Sequence, residues 1–392
     1  MKQKTKNFFI IFLIILGFVF VSFSQAKPEP LKRKIVVFKP GIEEEVKEKI
    51  INSVGGEKIK DLKLIGGKAI LLNPQAEKNL LKKSEILRID EDVEVFALIK
   101  STKINRIIPQ PAQILPWGID RIDAEKAWQD TTANSIKIGV LDTGIDLTHP
   151  DLKMNIKGGY NAINSRKLPQ DDNGHGTHVA GIIAALNNTI GVVGVGPEID
   201  LYAIKVLGAS GSGYLSDVIE GLEWAVSNGI QVVNMSLGTD QDIQSFREAI
   251  KKAYGAGVTM VAAAGNDGGS VDYPAAYPEV IAVSATDEKD EIASWSSRGG
   301  EIDLAAPGVN IYSTYKGSTY KILSGTSMAA PHVTGVAALV IDSKKCDYDK
   351  NGICSPSEVQ QRLEETAIDL APVGKDILYG FGLVNAERAL NY

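Results

Sequence analysis

The stretch IKIGVLDTGID, residues 136–146, places an apolar run directly before an acidic turn. Ile136–Leu141 is predicted to form a buried strand, and Asp142 follows it with Thr143-Gly144 in a tight turn. Strands this apolar are typical of parallel sheets covered on both faces, and such sheets bind ligands at the carboxyl ends of their strands. Asp142 is therefore a candidate functional carboxylate.

The same alternation of apolar strands and helices continues from about residue 112 to the end of the chain. It predicts an α/β fold with a parallel sheet covered by helices on both faces. The further predicted strands are Asp200–Val206, Val232–Met235, Thr259–Ala263 and Val280–Val283, and the predicted helices are His175–Ala185, Ser216–Asn228 and Gln244–Gly255.

A separate small α+β unit of ferredoxin-like order, β-α-β-β-α-β, is predicted for residues 31–98. Its strands are Lys34–Lys39, Leu62–Ile65, Ala69–Leu72 and Val93–Leu98, and its helices are Glu43–Val54 and Gln75–Ser84. Residues 99–111 contain Pro109 and Pro111 without clear periodicity, which indicates a linker.

The first 26 residues have the pattern of a secretory signal peptide. Lys2, Lys4 and Lys6 precede an apolar run from Phe8 to Phe23, and small residues allow cleavage after Ala26. This run is shorter than the ~20 residues that span a bilayer, so we expect a secreted, extracellular protein without stable membrane association after processing. The alternative is a retained N-terminal anchor.

Charge divides the chain into two parts. Residues 1–111 hold 21 Lys and Arg against 13 Asp and Glu, a net charge of +8, whereas residues 112–392 hold 21 against 35, a net charge of −14. Opposite charges favour contact between the two parts, and an acidic main body argues against nucleic acid as a partner. The only cysteines, Cys346 and Cys354, are predicted to form a local disulfide in an oxidising compartment, with two free thiols as the alternative.

Three blocks carry the chemistry: VLDTGID at 140–146, NGHGTHVAG at 173–181 and SGTSMAAPHVTG at 324–335. They supply one Asp, one His and one Ser among small residues. A hydroxyl group is a poor nucleophile unless a base takes its proton and an anion orients that base. The chain lacks the His-Glu-x-x-His and Cys-x-x-Cys patterns of zinc sites, so a metalloprotease is unsupported.

These blocks, in this order, resemble those of the subtilisin-type serine proteases, or subtilases. The resemblance covers nearly the whole chain and implies a serine endopeptidase that acts through an acyl-enzyme. It implies that Asp142 orients the base His175, that Ser327 is the nucleophile, and that the amide of Asn266 and the backbone N–H of Ser327 stabilise the oxyanion. A helix predicted at Val333–Ile341 would favour that negative charge.

The other three histidines are expected to be structural: His149, His178 and His332. The resemblance also implies the domain organisation. Residues 1–26 would be the signal peptide, 27–98 an inhibitory propeptide, 99–111 a linker and 112–392 the catalytic domain. We expect polypeptide substrates and a monomer.

The propeptide is expected to act as intramolecular chaperone and inhibitor, with Glu91–Leu98 in the active-site groove. The resemblance implies self-cleavage after Leu98, and Lys100, Lys103 and Arg106 are the alternatives.

Substrate recognition is expected to be mainly through the main chain, which favours broad specificity. The resemblance implies two edge segments that flank an extended peptide: Gly211, Ser212 and Gly213 on one side, and Ser236, Leu237 and Gly238 on the other. Asp272 departs from the family pattern, because many members have glycine at that position, at the base of the primary specificity pocket. A buried carboxylate there would favour Lys or Arg before the scissile bond, whereas the alternative is a solvated loop residue.

Calcium is the expected cofactor, at two sites. The resemblance implies a first site with the ligands Gln113, Asp151, Leu186, Asn188, Ile190 and Val192, several through carbonyl oxygens. The second is a motif: residues 347–358, DYDKNGICSPSE, fit the EF-hand loop D-x-D-x-N-G-x₅-E, in an insertion at 346–358. Its ligands would be Asp347, Asp349, Asn351, the carbonyl of Ile353 and Glu358. The alternatives are surface loops without a bound ion.

Two rival functions remain open from the sequence. One is a catalytically silent, calcium-binding extracellular protein with the same fold, against which Asp142, His175, Ser327 and Asn266 count. The other is an enzyme restricted to one substrate with a basic cleavage site, which only Asp272 indicates.

Overall fold

The computed structural model describes residues 30–100, 107–370 and 372–392. The predicted signal peptide at 1–26 and the candidate cleavage positions Lys103 and Arg106 lie outside these ranges. Within them, no helix combines the length and apolarity needed to cross a bilayer.

The N-terminal unit is a four-stranded antiparallel sheet with two helices on one face. From edge to edge its strands are Glu57–Leu62, Gly67–Leu72, Lys32–Phe38 and Ile86–Glu91. The helices are Glu44–Ser53 and Pro74–Leu80. Alternate residues of the strand Lys32–Phe38 point to opposite faces. Val36 and Phe38 pack in the cluster formed with the two helices, whereas Ile35 and Val37 belong to a cluster shared with the larger unit.

Two predictions for this unit were wrong. Lys63–Ile65 is a 3₁₀ turn, and the strand before it is Glu57–Leu62. The fourth strand of the sheet is Ile86–Glu91, whereas Glu94–Ala97 forms a strand in a different sheet. Both missed strands lie at the edges of the sheet, where charged side chains interrupt the apolar alternation on which the prediction relied.

The larger unit contains a seven-stranded sheet in which every neighbouring pair is parallel. This confirms the predicted fold class. From edge to edge the strands are Leu304–Pro307, Ile281–Thr286, Thr259–Ala263, Val232–Met235, Lys137–Asp142, Asp200–Lys205 and Ile156–Asn161. The two edge strands were not predicted, because one is short and the other contains Gly158-Gly159.

Helices cover both faces of this sheet. The helices His175–Ala184 and Thr326–Ser343 contribute to one apolar cluster, and Leu215–Ser227 and Gln244–Gly255 contribute to the other. The remaining helices are Trp117–Arg121, Ala124–Ala127, Pro356–Thr366 and Ala386–Asn391. Short strands at Ser212–Tyr214 and Leu237–Gly238 flank Glu94–Ala97, and Ile107–Ile108, Ile311–Tyr315 and Thr319–Leu323 form a third small sheet.

The helix predicted at Val333–Ile341 begins at Thr326, so the prediction put its start too late. The cause is Pro331, which lies inside the helix and reads in a sequence as a helix breaker. Proline has no N–H to donate to the carbonyl oxygen of Ser327, four residues earlier. The hydroxyl of Ser236 donates to that oxygen instead, at 2.9 Å, so the helix continues through the proline.

Candidate active site

Asp142 and His175 form a buried pair at the carboxyl end of the parallel sheet. Asp142 is the last residue of the strand Lys137–Asp142, and His175 is the first residue of the helix His175–Ala184. Nδ1 of His175 lies 2.7 and 2.9 Å from the two carboxylate oxygens. Because a carboxylate accepts, the ring proton is on Nδ1 and Nε2 carries a free lone pair. Among the described residues, nothing hydrogen-bonds to this buried Nε2.

Ser327 is the second residue of the helix Thr326–Ser343, which packs against the helix that carries His175. Its hydroxyl donates to the carbonyl oxygen of Ser236 at 2.9 Å. The hydroxyl is therefore not hydrogen-bonded to Nε2 of His175 in this conformation. A rotation about χ1 between staggered positions redirects the Oγ.

A peptide bond of the chain itself lies close to Gly325, two residues before this serine. A Cβ added to Gly325 would lie 2.5 Å from the carbonyl oxygen of Leu98, 3.4 Å from Cα of Ile99 and 3.3 Å from Nδ2 of Asn266. Only glycine allows so close an approach, and its φ of +152° also disfavours a side chain. The Leu98–Ile99 peptide bond thus lies beside Asn266 and beside Gly325, and Gly325 is two residues before Ser327 in the chain.

The amide group of Asn266 has a fixed orientation. Its Oδ1 accepts hydrogen bonds from the backbone N–H of Thr326 at 2.9 Å and from the Thr326 hydroxyl at 3.0 Å. A backbone N–H can only donate, so the amide oxygen must face Thr326 and Nδ2 must face away. This Nδ2 is buried and has no hydrogen-bond partner in the described part of the chain. It is a donor available to a developing negative charge.

The strand Glu94–Ala97 lies between the two predicted edge segments. It pairs antiparallel with Ser212–Tyr214 on one side and with Leu237–Gly238 on the other. The N–H of Ala97 donates to the Gly211 carbonyl at 2.9 Å, and that of Leu98 donates to the Ser236 carbonyl at 3.2 Å. All six predicted edge residues are thus in or next to this three-stranded sheet, and the backbone makes its pairing contacts with the strand Glu94–Ala97.

Asp272 lies beside the side chain that precedes the Leu98–Ile99 bond. A Cβ added to Gly238 would lie 3.1 Å from both Cδ1 of Leu98 and Cβ of Asp272. Asp272 is only partly exposed. Burial, with a smaller contribution from the charges of Asp267 and Asp240, raises the pKa of Asp272 to about 6.

The other three histidines are held by backbone carbonyls, as expected for structural residues. Nε2 of His178 lies 3.1 Å from the Ile311 oxygen and 3.0 Å from the Lys321 oxygen. His332 and His149 make equivalent bonds to Met328 and Thr319. Burial lowers the pKa of His178 to about 3 and that of His332 to about 4, so both rings are neutral.

The predicted ligands of the first calcium site converge around Asp151. Its carboxylate accepts from Nδ2 of Asn188 at 2.7 Å and from the N–H of Val192 at 3.0 Å. The side-chain oxygen of Gln113 accepts from the N–H of Asn188. Burial raises the pKa of Asp151, and no Lys or Arg pairs with it in the described residues. A buried carboxylate among carbonyl and amide oxygens fits a hard cation, provided that the Asn188 amide turns its oxygen inward.

The EF-hand-like loop brings three carboxylates together between two helices. Oxygens of Asp347, Asp349 and Glu358 lie within 4.8 Å of one another. Oδ1 of Asp347 is buried and has no hydrogen-bond partner among the described residues. Gly352 has φ +88°, as the sharp turn in such a loop requires. Cys346 and Cys354 form a disulfide across this loop, in agreement with the first of the two predictions for them.

Asp171 is a functional residue that the sequence analysis missed. It is buried and accepts hydrogen bonds from the hydroxyls of Thr143 (2.8 Å) and Thr177 (2.6 Å) and from the N–H of Gly174 (2.8 Å). These contacts join the turn after Asp142 to the start of the helix that carries His175. In the sequence, Asp171 is simply an acidic residue four positions before His175. An acidic residue in an exposed turn would give the same pattern.

A buried Asp–His pair, a serine at the start of a helix and a free amide donor beside a peptide bond are the groups that a serine endopeptidase needs. Comparison with known proteins agrees: residues 133–382 match the subtilase family, and the chain belongs to that family. It is 51% identical to Subtilisin Savinase of Lederbergia lenta, over 71% of this chain and 99% of that protein. It is 48% identical to M-protease of Shouchella clausii (82% and 78%) and 40% identical to Subtilisin E of Bacillus subtilis (99% and 100%). The chain is a serine endopeptidase of the subtilisin type.

Proposed function

We propose that this chain is the precursor of a secreted, calcium-stabilised endopeptidase that activates itself by cutting between Leu98 and Ile99. The observation that carries the proposal is the position of the Leu98 carbonyl group, beside Gly325 and the free amide of Asn266. The strand before it occupies the groove between two sheet edges in the way a substrate would.

The acylation step uses the groups around this bond. The Ser327 hydroxyl rotates away from the Ser236 carbonyl, gives its proton to Nε2 of His175 and attacks the Leu98 carbonyl carbon. Nδ2 of Asn266 and the backbone N–H of Ser327 stabilise the oxyanion, while Asp142 stabilises the imidazolium. When the C–N bond breaks, His175 returns the proton to the nitrogen of Ile99.

Deacylation repeats the sequence with water. The ester between Leu98 and Ser327 is attacked by a water molecule that gives its proton to His175. The C–Oγ bond then breaks, the proton passes to Oγ, and the Leu98 carboxylate leaves. The same residues act on polypeptide substrates once the groove is free.

The N-terminal unit is suited to inhibit and to assist folding. Its carboxylates accept backbone N–H groups from the first turns of two helices of the larger unit: Asp92 accepts from Ser216 at 2.8 Å, and Asp90 accepts from Ser245 at 3.1 Å. Negative charge at a helix N-terminus is stabilising, so these contacts would favour formation of the two helices. After cleavage, the strand Glu94–Ala97 would remain in the groove as a bound product.

The alternative cleavage points have less support. The N–H of Lys100 donates to the Ser324 carbonyl at 2.8 Å, so Lys100 already lies beyond the serine on the leaving-group side. Lys103 and Arg106 would need the chain to shift along the groove by several residues. Leu98 needs no shift.

Calcium would stabilise the folded form at both sites. A cation bound to Asp151 and its carbonyl neighbours would offset the burial of that carboxylate, and a second would neutralise the three carboxylates of the EF-hand-like loop. Binding only to the folded chain adds RT ln(1+[Ca²⁺]/Kd) to its stability. Export rests on the signal-peptide pattern of residues 1–26, and the disulfide suits an oxidising compartment.

The test compares the refolded precursor with its Ser327→Ala variant. N-terminal sequencing of the wild-type product should begin at Ile99, whereas the variant should stay whole. A fluorophosphonate should label Ser327 of the matured protein, which a silent binding protein would not allow. Cleavage of the variant at the same bond would overturn self-activation.

A further inference from the structure

A polar side chain, that of Asp272, lies close to the side chain of Leu98. Cδ1 of Leu98 and Cβ of Asp272 both approach Gly238, each 3.1 Å from the position that a Cβ on this glycine would take. The carboxylate continues toward Gly265, where an added Cβ would lie 2.8 Å from Oδ2 of Asp272. Both neighbours are glycines, so no side chain stands between the carboxylate and the pocket at these positions.

The carboxylate of Asp272 has no partner in the described part of the chain. No hydrogen bond or ion pair reaches it, although its own backbone is fixed by the bond from its N–H to the Ala264 carbonyl at 2.8 Å. The charges that act on it are those of Asp267 and Asp240, and both are negative. The ammonium group of Lys100 is occupied by the carbonyl oxygen of Asn266 at 3.0 Å.

A partly buried anion among other anions has unused capacity for a cation. Leucine ends at Cδ, whereas lysine continues by two more atoms and ends in an ammonium group, and arginine ends in a guanidinium group. We propose that Asp272 is a specificity-determining residue that selects Lys or Arg immediately before the scissile bond. This inference rests on the proposed function.

Leu98 is compatible with this preference. The precursor's own strand is held by the backbone pairs on both sides and by covalent connection to the rest of the chain. Its cleavage therefore proceeds without a cation in the pocket, although a basic residue at this position would still accelerate it. A leucine leaves the Asp272 carboxylate unpaired in the bound product, so substrates with a basic residue compete better for the pocket.

The test measures kcat/KM for peptide p-nitroanilides that differ only in the residue before the scissile bond. Lysine is compared with norleucine, which has the same length and no charge. The matured wild type should prefer lysine by roughly tenfold to a hundredfold, the range expected for a hydrogen bond to a charged group. Asp272→Asn should remove the preference, whereas Asp240→Asn, on an exposed neighbour, should keep it.

A second pair of variants tests the same preference with Asp272 unchanged, so this test does not depend on whether Asp272→Asn folds. In otherwise unchanged precursors, Leu98→Lys should be processed faster than Leu98→Met. A wild-type ratio of lysine to norleucine near or below one, or an equal ratio in Asp272→Asn, would overturn the inference. Fluorophosphonate labelling separates the two failures: protein that takes the label without preferring lysine loses only the selectivity, and protein that takes no label loses the proposed function.

Discussion

The position of His175 depends on a carboxylate outside the Asp142–His175 pair. Asp171 accepts hydrogen bonds from both hydroxyls and backbone N–H groups around the start of the helix that carries His175. It is 5% exposed and has no cationic partner among the described residues. A buried carboxylate of this kind is stable only because several donors converge on it, and those donors connect the turn after Asp142 to the histidine.

We therefore expect Asp171→Asn to destabilise the fold by about 2–3 kcal/mol, because one donor would face an amide N–H₂ instead of an oxygen. The measurement is the urea midpoint of the precursor in the Ser327→Ala background, which prevents cleavage. Asp130→Asn, on an exposed carboxylate, is the matched control and should shift stability by less than about 0.5 kcal/mol. Equal midpoints for the two variants would contradict the role given to Asp171.

Asp272 should make selectivity depend on pH. Burial raises the pKa of Asp272 to about 6, so its carboxylate is charged above that pH and neutral below it. Lysine in the substrate stays charged throughout. The ratio of kcat/KM for lysine over norleucine should therefore rise as the pH increases through the pKa. Asp272→Asn should give a ratio that does not change with pH, and a flat profile in the wild type would argue against this titration.

At the level of the elements, the central strands and long helices were predictable because their periodicity is unbroken. The strand Val232–Met235 and the helix Gln244–Gly255 have the predicted bounds. The strand Ile86–Glu91 was missed because Arg88 and Asp90 interrupt its apolar pattern. Their partners, Glu248 and the N–H of Ser245, belong to a helix more than 150 residues away. No local pattern can report such contacts.

In the candidate active site, too, some features could be predicted from local sequence motifs, whereas others depend on tertiary contacts. Asp142, His175 and Ser327 stand in motifs that could be read directly, but Pro331 concealed the true start of the helix that carries the serine. The compensation by Ser236 is a tertiary contact. Asp171 and the capping carboxylates Asp90 and Asp92 had no motif, because their roles depend on which donors the fold brings to them.

The EF-hand-like loop is an element whose ion affinity can be measured without activity. Tyr348 stands between Asp347 and Asp349, close enough to sensitise luminescence from a bound terbium ion. We expect terbium emission that calcium displaces, and a clear loss of ion affinity in Asp349→Asn. Glu288→Gln, on an exposed acidic residue elsewhere, is the control. Tyrosine-sensitised emission that survives Asp349→Asn unchanged would exclude this loop as the binding site.

At the scale of the whole molecule, the opposite net charges of the two parts form ion pairs at their interface. Lys60 of the N-terminal unit pairs with Asp217 and Glu220 and donates to the Ala162 carbonyl at 2.7 Å. Lys60 and Asp217 are largely buried there. Removing one partner of a buried pair leaves the other charge without compensation, so this contact should contribute strongly to retention of the cleaved unit.

Lys60→Met should accordingly weaken retention of the cleaved unit by about tenfold or more. The measurement is the lag between cleavage, followed by gel, and the appearance of peptidase activity, which should shorten. Lys49→Met is the matched control, because Lys49 is exposed and its one ion pair within the described residues is with Glu45 of its own unit. A lag as long as in the control would mean that the backbone pairs alone set the release.

The uninterrupted passage of the chain from Glu94–Ala97 through the catalytic centre has a kinetic consequence. If enzyme and first substrate are one covalent molecule, the first phase of maturation should be first-order, with a rate constant that does not change on dilution. Every later turnover is bimolecular. A newly folded population would therefore begin to mature by intramolecular cleavage, at a rate that does not depend on protein concentration. The first released molecules would then cleave other precursors, and this autocatalytic phase would disappear at low concentration.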